Sequence, residues 1–194
     1  MCSRFEVDAK AGDIKKKFEV EGDIALPNAR EVRPTDLGLV IDFDRKASLL
    51  AWGFPSSWDG KPLFNARAET ITEKPSFSAF LEQRCIVPAT MFPEWRKDGK
   101  NKFRNSIFLE DTVMGFAGLR SDTHFTIITC AASPAMAHVH GRMPAILTPD
   151  QQNLWLDANK DFSIARGILQ PYEGDNLCII EDAPKPPDQA DLFQ

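Results

Sequence analysis

The second residue of this chain would carry two nucleophiles if Met1 were removed. Cys2 would then bear a free α-amine and, two carbons away, a thiol. An α-amine is partly neutral near physiological pH and attacks an aldehyde to give an imine. Addition of the thiol to that imine closes a thiazolidine ring, and this step gains from being intramolecular. The alternative is that Cys2 is only a small residue, so the chemistry needs support from elsewhere in the chain.

Two further side chains are candidates for proton transfer. Glu94 lies between Phe92 and Trp95, an apolar setting in which a carboxyl group can exchange a proton near neutrality. His140 is a second proton carrier, or a neutral donor to a phosphate oxygen. The same residues also fit a thiol peptidase, with Cys2 as nucleophile, His140 as base and Glu94 as the orienting group. A surface carboxylate and a structural histidine are the alternatives.

Arginine, asparagine and tryptophan side chains could hold a nucleic acid. Arg4 and Arg67 present planar donor forks that suit phosphate oxygens, and Asn65 adds a neutral donor and acceptor. Trp58 could stack against a base, whereas Trp52 follows an apolar strand and is predicted to belong to the core.

Other polar residues have a structural interpretation as well. Arg142 could contact phosphate or act as the partner of a carboxylate such as Glu69, and the sequence does not separate the two roles. His138 is interpreted as structural. Basic residues gather at 15–17 and at 96–104, where a solvated face is the usual explanation.

The predicted elements place these side chains on a curled, mostly antiparallel sheet. Residues 13–20 form a short amphipathic helix, and residues 37–53 form a hairpin whose polar link is 44–46. The stretch 55–62 is rich in turn residues, so Asn65–Arg67 emerges from a loop.

Further elements follow along the chain. Pro75 begins a helix that runs through Phe77, Phe80 and Leu81. Asp98-Gly99 predicts a hairpin within residues 95–108, and the strand pattern continues through residue 130.

The last helices have a clear start signal. Thr148, Pro149 and Gln151 supply an N-cap, a first-turn proline and a capping-box residue, so a helix should begin there. It is predicted to bury Leu154, Trp155 and Ala158, and a further helix covers residues 163–169.

Composition restricts the class of protein. The chain has 194 residues, of which 43% are hydrophobic, so one domain with a sizeable core is expected. No apolar stretch reaches membrane-spanning length, and the N-terminus does not resemble a secretory signal, so a cytoplasmic protein is expected. The four cysteines lie far apart, which favours reduced thiols and argues against a metal site. The net charge of -5 argues against indiscriminate nucleic-acid binding.

Blocks of sequence in a fixed order resemble the SRAP family, named for SOS-response-associated peptidases and including abasic-site sensors. MCSRF is similar to the family's MCGRF start, and further blocks span the chain to about residue 147. They are Trp52-Gly53-Phe54-Pro55, Asn65-Ala66-Arg67-Ala68-Glu69-Thr70, Arg84-Cys85-Ile86-Val87-Pro88-Ala89, Phe92-Pro93-Glu94-Trp95 and His140-Gly141-Arg142-Met143-Pro144.

The resemblance implies a fold, a site and an activity. The fold is α+β, a single SRAP-like domain with a barrel-like core flanked by helices. The activity is a covalent thiazolidine crosslink to an abasic site in single-stranded DNA, with lyase or autopeptidase activity as further options and no cofactor. The catalytic residues implied are Cys2, Glu94, His140 and Asn65, and the DNA-binding residues are Arg4, Arg67, Trp58 and Arg142. A non-catalytic DNA-binding relative is the remaining alternative.

The chain departs from the family pattern near the expected site. Ser3 replaces a glycine, and Pro93 stands where an aromatic residue usually precedes the glutamate. Gly141 stands where an aspartate usually follows the histidine, which could loosen His140. The family's NxAP block appears as residues 31–34, where a carboxylate is added and the asparagine is lost, so a DNA contact could be weakened.

The C-terminal tail is predicted to lie outside the domain of residues 1–182. Residues 183–194 are proline-rich and resemble the QxDLF-type peptide by which bacterial repair proteins dock on the sliding clamp, with Gln189, Asp191, Leu192 and Phe193 as the matching positions. The alternative is that Leu192 and Phe193 cap the protein's own core. We also expect the protein to be a monomer, to associate with the nucleoid and to have no membrane partner.

Overall fold

A computed structural model describes residues 2–56, 60–110 and 112–182. Most of these residues form strands, with short helices between them. The strands are β1 Phe5–Glu6, β2 Glu31–Val32, β3 Leu37–Ile41, β4 Ala47–Trp52, β5 Asn65–Arg67, β6 Arg84–Ala89, β7 Phe92–Asp98, β8 Asn101–Leu109, β9 Met114–Arg120, β10 His124–Ala131, β11 Arg142–Pro144 and β12 Leu177–Glu181. The α-helices are α1 Ala11–Phe18, α2 Pro75–Ser78, α3 Pro149–Leu156 and α4 Phe162–Ala165, and the 3-10 helices are Ile71–Glu73 and Arg166–Ile168.

The main sheet closes on itself. Its strands follow the order β10, β4, β3, β6 and β9, and β9 pairs again with β10. All these pairings are antiparallel except that of β10 with β4, which is parallel. β5 and β11 extend the sheet along β10, toward its C-terminal end. The barrel-like α+β fold predicted from sequence is therefore confirmed.

Aromatic side chains fill the barrel. Trp52 is fully buried, stacks against Phe125 at 6.3 Å between ring centroids, and donates its indole N–H to the carbonyl of Phe64 at 2.7 Å. Phe5 packs edge-on against Trp52 at 5.0 Å. Gly38 makes room for these rings, because a Cβ there would lie 2.7 Å from Phe125. Trp52 is thus a core residue, as predicted.

Two predicted hairpins form. The link between β3 and β4 is held by Asp42, whose carboxylate accepts from the backbone N–H groups of Asp44 and Lys46. β7 and β8 pair from Phe92 to the tip, where Asp98 faces Asn101. The two loop residues are therefore Gly99 and Lys100 rather than Asp98 and Gly99. Gly99 has φ +58°, at the first loop position where such turns place glycine. β12 adds to the free side of β8.

Helix α1 buries Ile14 and Phe18 against the sheet, as its pattern predicts. α2 ends at Ser78, earlier than expected, because the chain turns there with bonds between residues three apart, from Phe80 N–H to the carbonyl of Phe77. Phe80 and Leu81 still pack against the core.

The capping box at the start of α3 is present as predicted. α3 buries Gln152, Trp155 and Leu156, whereas Leu154 is half-buried and Ala158 is exposed beyond the helix end, which corrects that part of the prediction. α4 is followed by the 3-10 helix, so the segment predicted as one helix over residues 163–169 is two short turns.

Among the described helices, no helix is long and apolar enough to cross a membrane.

Arg84 ties the C-terminal helices to the barrel. Its guanidinium is buried, lies over the ring of Trp155, and donates to the carbonyls of Trp155, Asp157 and Lys160 at 2.7 to 2.8 Å. It also pairs with Glu82 at 2.7 Å. The Asp157 carbonyl also accepts from the Lys160 N–H, and Glu82 from the Phe162 N–H, so loss of the guanidinium would bear most on the buried carbonyl of Trp155.

We expect Arg84→Met to lower the free energy of unfolding by about 3 kcal/mol, because the methionine keeps much of the packing but removes the donor to the buried carbonyl of Trp155 and the links to Asp157 and Lys160. Urea unfolding followed by circular dichroism measures this. Arg30→Met is the matched control, since the Arg30 side chain is 62% exposed and forms ion pairs with Glu6 and Asp8 at the surface. Equal midpoints for Arg84→Met and Arg30→Met would contradict the structural role of Arg84.

Candidate functional site

Cys2 is fixed at two of its groups. Its carbonyl accepts a hydrogen bond from Asn65 Nδ2 at 2.7 Å, and its thiol donates to the carbonyl of Arg4 at 3.2 Å. The residue is fully buried. The N-terminal segment is anchored just beyond, where β1 begins with the buried ring of Phe5 and pairs with β2.

The N-terminal segment crosses strand β7. Glu94 and Trp95 are successive residues of β7, so their side chains point to opposite faces. Glu94 acts electrostatically on the Cys2 thiol, whereas the Arg4 guanidinium lies 5.2 Å from the centre of the Trp95 ring. Cys2 and Arg4 therefore lie close to successive residues of this strand.

The Cys2 thiol is held in its neutral form. Burial raises the pKa of this thiol well above its ordinary value, and the negative charge of Glu94 raises it further. Glu94 itself is only 4% exposed. The pair is thus a protonated thiol beside a buried carboxyl group, an arrangement that disfavours a stable thiolate.

Asn65 and Arg67 are brought to one cleft by β5. This strand pairs in parallel with β10, and residues two apart in a strand share a face. The Nδ2 of Asn65 holds Cys2, while its buried Oδ1 has no hydrogen-bond partner among the described residues. The cleft has a volume of about 450 Å³ and is lined by Leu63, Asn65, Arg67, Thr70, Lys74, Ser76 and Phe77.

His140 is anchored through one ring nitrogen. Its Nδ1 lies 3.0 Å from both the backbone nitrogen and the carbonyl oxygen of Arg142. Nδ1 accepts from the N–H of Arg142 when it carries no proton, and it donates to the carbonyl of Arg142 when it carries one, so the tautomer decides which bond forms. The residue precedes β11, at the end of β10 where β5 also ends. Convergence of His140 on Cys2 stays a prediction.

Arg4 has an acidic partner. Its Nη1 lies 3.4 Å from Glu31, and Glu31 also accepts from Arg33 at 2.6 Å. Burial opposes ionisation of Glu31, but the hydrogen bond from Arg33 and the charge of Arg4 bring the pKa of Glu31 below its usual value. Arg4 Nε is buried without a hydrogen-bond partner among the described residues.

The family model for SOS response associated peptidase (SRAP) matches residues 1–181. This chain belongs to the SRAP family.

Two similar proteins from bacteria are both named abasic site processing proteins. The chain is 34% identical to "Abasic site processing protein YoqW" of Bacillus subtilis, over 91% of this chain and 90% of that protein. It is 31% identical to "Abasic site processing protein YedK" of Escherichia coli, over 80% of this chain and 79% of that protein.

Solved structures share the fold. A crystal structure of a protein from Bacteroides thetaiotaomicron is 25% identical and superposes with a TM-score of 0.80, covering 94% of this chain and 93% of that one. A protein from Bordetella bronchiseptica is 22% identical and superposes with a TM-score of 0.83, covering 94% of this chain and 100% of that one. At this identity the likeness shows only the fold.

The remaining predicted contacts lie in different settings. The Arg142 fork is bound to both oxygens of Glu69 at 3.0 and 2.9 Å, and it also donates to the Thr129 carbonyl. Of the two roles considered for Arg142, this is the structural one. Its hydrogen bonds lower the pKa of Glu69. Trp58 lies outside the described residues, and His138 is exposed.

The departures from the SRAP pattern do not strain the backbone. Among the described residues, positive φ at a non-glycine position occurs at Glu19, Thr35 and Arg45, so the backbone at Ser3 does not require glycine. Pro93 is buried in β7 opposite Ser106. A Cβ at Gly141 would meet nothing within 4 Å, so the space for an aspartate is open.

Sequence reasoning missed several residues of the site. Lys74 and Ser76 line the cleft of Arg67, Trp95 stacks on Arg4, and Glu31 pairs with Arg4. For Glu31, the sequence signal was that a carboxylate stands in the block of residues 31–34, where the family's NxAP block has none. Within the described ranges, no group of three or more His, Cys, Asp or Glu side chains could hold a metal ion.

We expect the Cys2 thiol to resist alkylation in the folded chain that retains Met1. At neutral pH iodoacetamide should label half-buried Cys178 first and spare Cys2 and Cys85, whose burial keeps both thiols protonated. Labelling of Cys2 should rise only above the ordinary thiol pKa of 9.0, because its own pKa is higher.

Mass spectrometry of peptides from native and urea-unfolded protein measures these rates. The unfolded sample is the control, in which all thiols should label alike. Equal rates for Cys2 and Cys178 in the native protein would overturn the assignment of a buried, protonated thiol.

Proposed function

We propose that this chain captures abasic sites in single-stranded DNA as a covalent adduct on Cys2, after removal of Met1. The observation that carries the proposal is the position of Cys2, held by Asn65 and within electrostatic reach of buried Glu94. The substrate is supported by the relatives, which are named abasic site processing proteins. The chemistry is the one that an N-terminal amine and thiol allow.

The proposed reaction is a condensation followed by an addition. The neutral α-amine of Cys2 attacks C1′ of the ring-opened deoxyribose, and the oxygen leaves as water to give the imine. The thiol then adds across the C=N bond, so that sulfur bonds to C1′ and the thiol proton passes to nitrogen. Atoms balance with water as the only other product, and neither an oxidant nor a cofactor is consumed.

Each candidate site residue has a role in the proposed sequence. Glu94 moves protons as the sugar ring opens and as water leaves, which its position beside the thiol allows. Asn65 holds the Cys2 carbonyl, and its Oδ1 is an acceptor that suits a donor group of the bound sugar or amine. His140 serves as a second proton carrier or as a donor to phosphate.

The raised thiol pKa favours crosslinking over a general thiol peptidase. A peptidase needs a thiolate, and both the burial of Cys2 and the charge of Glu94 oppose one. In the crosslinking sequence the amine attacks first and the thiol proton passes to nitrogen as sulfur adds, so a stable thiolate is not needed at the outset. Strand cleavage by a lyase reaction and autoproteolytic removal of a longer leader are further proposals that rest on the resemblance.

The strand itself would be held in the cleft of Arg67. Arg67 and Lys74 supply positive charge there, while the largely buried Phe77 contributes apolar lining. Arg4 would bind phosphate by exchanging Glu31 for it. Stacking by Trp58 stays a prediction, as does a phosphate contact by Arg142.

The remaining predictions concern the cellular setting. A cytoplasmic monomer at the nucleoid suits a protein that acts on single-stranded DNA. The clamp-binding peptide with Leu192 and Phe193 lies outside the described residues, and docking on the sliding clamp stays a prediction.

We expect Cys2→Ala to abolish a heat-stable adduct with an abasic oligonucleotide, since both the thiol and the ring closure are lost. Cys2→Ser should leave at most a reversible imine, because the oxygen ring persists less well than the sulfur ring. Denaturing gels with an intact strand as substrate control measure this, and Cys178→Ala is the matched protein control. A stable adduct with Cys2→Ala would end the mechanism.

We expect binding and chemistry to separate in two variants. Arg67→Ala should weaken binding and reduce the salt slope by about 0.7, the value for one phosphate contact on a single strand. Glu94→Gln should leave affinity nearly unchanged but slow adduct formation about 100-fold, as for loss of a general acid or base.

Fluorescence anisotropy across a salt series measures the first effect, and single-turnover gels at saturating DNA measure the second. Lys15→Ala, an exposed change on α1, is the control for net charge. Identical changes in affinity and rate for Arg67→Ala and Glu94→Gln would disprove the separate roles.

A further inference from the structure

The β7–β8 hairpin separates its side chains into two faces. Trp95 is the cross-strand partner of Arg104, and Lys97 is the partner of Lys102. Because directly opposed residues of an antiparallel pair share a face, these four side chains lie on one face. Glu94 lies on the other. We call Trp95, Lys97, Lys100, Lys102 and Arg104 the hairpin ribbon, with Lys100 in the loop at its tip.

Arginines and lysines of this hairpin differ in their partners. Arg96 is bound to Glu181 at 2.9 Å, and Arg104 pairs with Asp182. In contrast, neither an ion pair nor a hydrogen bond joins Lys97, Lys100 or Lys102 to any described side chain, and all three are exposed. The positive charge of the ribbon is therefore concentrated on its lysines.

The opposed lysines are unfavourable in the free protein. Like charges directly across an antiparallel pair destabilise it, since their Cβ atoms are only about 4.5 to 5.5 Å apart. Lys97 and Lys102 occupy such a pair, and the loop adds Lys100 next to them. A polyanion bound at this tip would relieve the repulsion between the lysines. A face that is only solvated gives no reason for placing two lysines opposite each other.

The inner end of the ribbon contacts the N-terminal segment that carries Cys2. Arg4 stacks on Trp95 at the inner end of the ribbon, and the carbonyl of Arg4 accepts the Cys2 thiol. From Trp95, Lys97 is about 7 Å further along β7, at 3.4 Å per residue. Lys97 and its partner Lys102 thus lie about two phosphates beyond Trp95, taking about 3.4 Å of rise per nucleotide of one strand.

We infer that the hairpin ribbon is a second phosphate-binding surface, which holds the backbone of the DNA strand beyond the abasic site. This inference rests on the proposed function. Lysine binds phosphate as a point charge, and the tip has no aromatic residue to stack on a base, so the contact is independent of sequence. It supplies local positive charge in a protein whose net charge is -5.

The test is the double variant Lys97→Gln/Lys102→Gln, assayed on an abasic strand with long flanks and on one cut to a single nucleotide on each side of the lesion. On the long strand affinity should fall about tenfold at low salt, and the salt slope should fall by about 1.4, the value for two phosphates on a single strand. On the short strand, which does not reach the tip, wild type and variant should bind alike.

Lys15→Gln/Lys16→Gln is the matched control, because it removes the same charge from exposed positions of α1. Equal losses for the two double variants would show a general charge effect and overturn the inference, as would wild-type affinity of Lys97→Gln/Lys102→Gln on the long strand. The thermal midpoint of the hairpin variant should equal or exceed that of the wild type, since a repulsive pair is removed.

An intact strand of the same length separates this inference from the proposed function. If the wild type forms no adduct with the abasic strand, the proposed function fails. The salt slope on the intact strand still reports on the ribbon in that case, and a slope that is unchanged by Lys97→Gln/Lys102→Gln would overturn the ribbon separately.

Discussion

The burial of Phe5 in the barrel is the interaction on which the site depends. Its ring packs against Trp52 at 5.0 Å and Phe116 at 6.3 Å, and it is fully buried. Cys2 precedes it by so few residues that an extended chain could separate them by only about 11 Å. Removing such a ring from a core costs about 3 to 5 kcal/mol. The reactive end is therefore positioned by the core itself, and Asn65 completes the placement.

Strand β7 lies next to the N-terminal segment that Phe5 anchors, and it carries Glu94 and Trp95. Glu94 lies within electrostatic reach of the Cys2 thiol and Trp95 lies under Arg4, so one strand contributes the proposed proton carrier on one face and an aromatic contact to a cation on the other. The cost is a carboxyl group that is 4% exposed next to a buried thiol. That arrangement keeps the thiol neutral, and it suits a mechanism in which nitrogen reacts before sulfur.

Local signals in the sequence predicted most of the elements. The capping box of Thr148 and the polar link at Asp42 act over a few residues, and they formed as expected. Non-local pairing was not predictable in the same way. The parallel contacts of β10 with β4 and β5 join segments that are far apart in the chain, yet these contacts bring Asn65 to Cys2. The family blocks identified candidate residues, but they could not show that the Arg142 fork is engaged by Glu69.

The ion pair between Arg4 and Glu31 has a consequence for binding. Because Glu31 stays ionised, a phosphate that reaches Arg4 replaces a carboxylate instead of finding an empty guanidinium. Such an exchange yields less affinity than a new contact, so Arg4 adds little to the affinity for an undamaged strand. In the proposed reaction a strand with an aldehyde is retained by a covalent bond, which this competition does not weaken. Under that proposal, weak reversible contact precedes covalent capture, and selectivity for the lesion comes from the reaction rather than from the affinity for the strand.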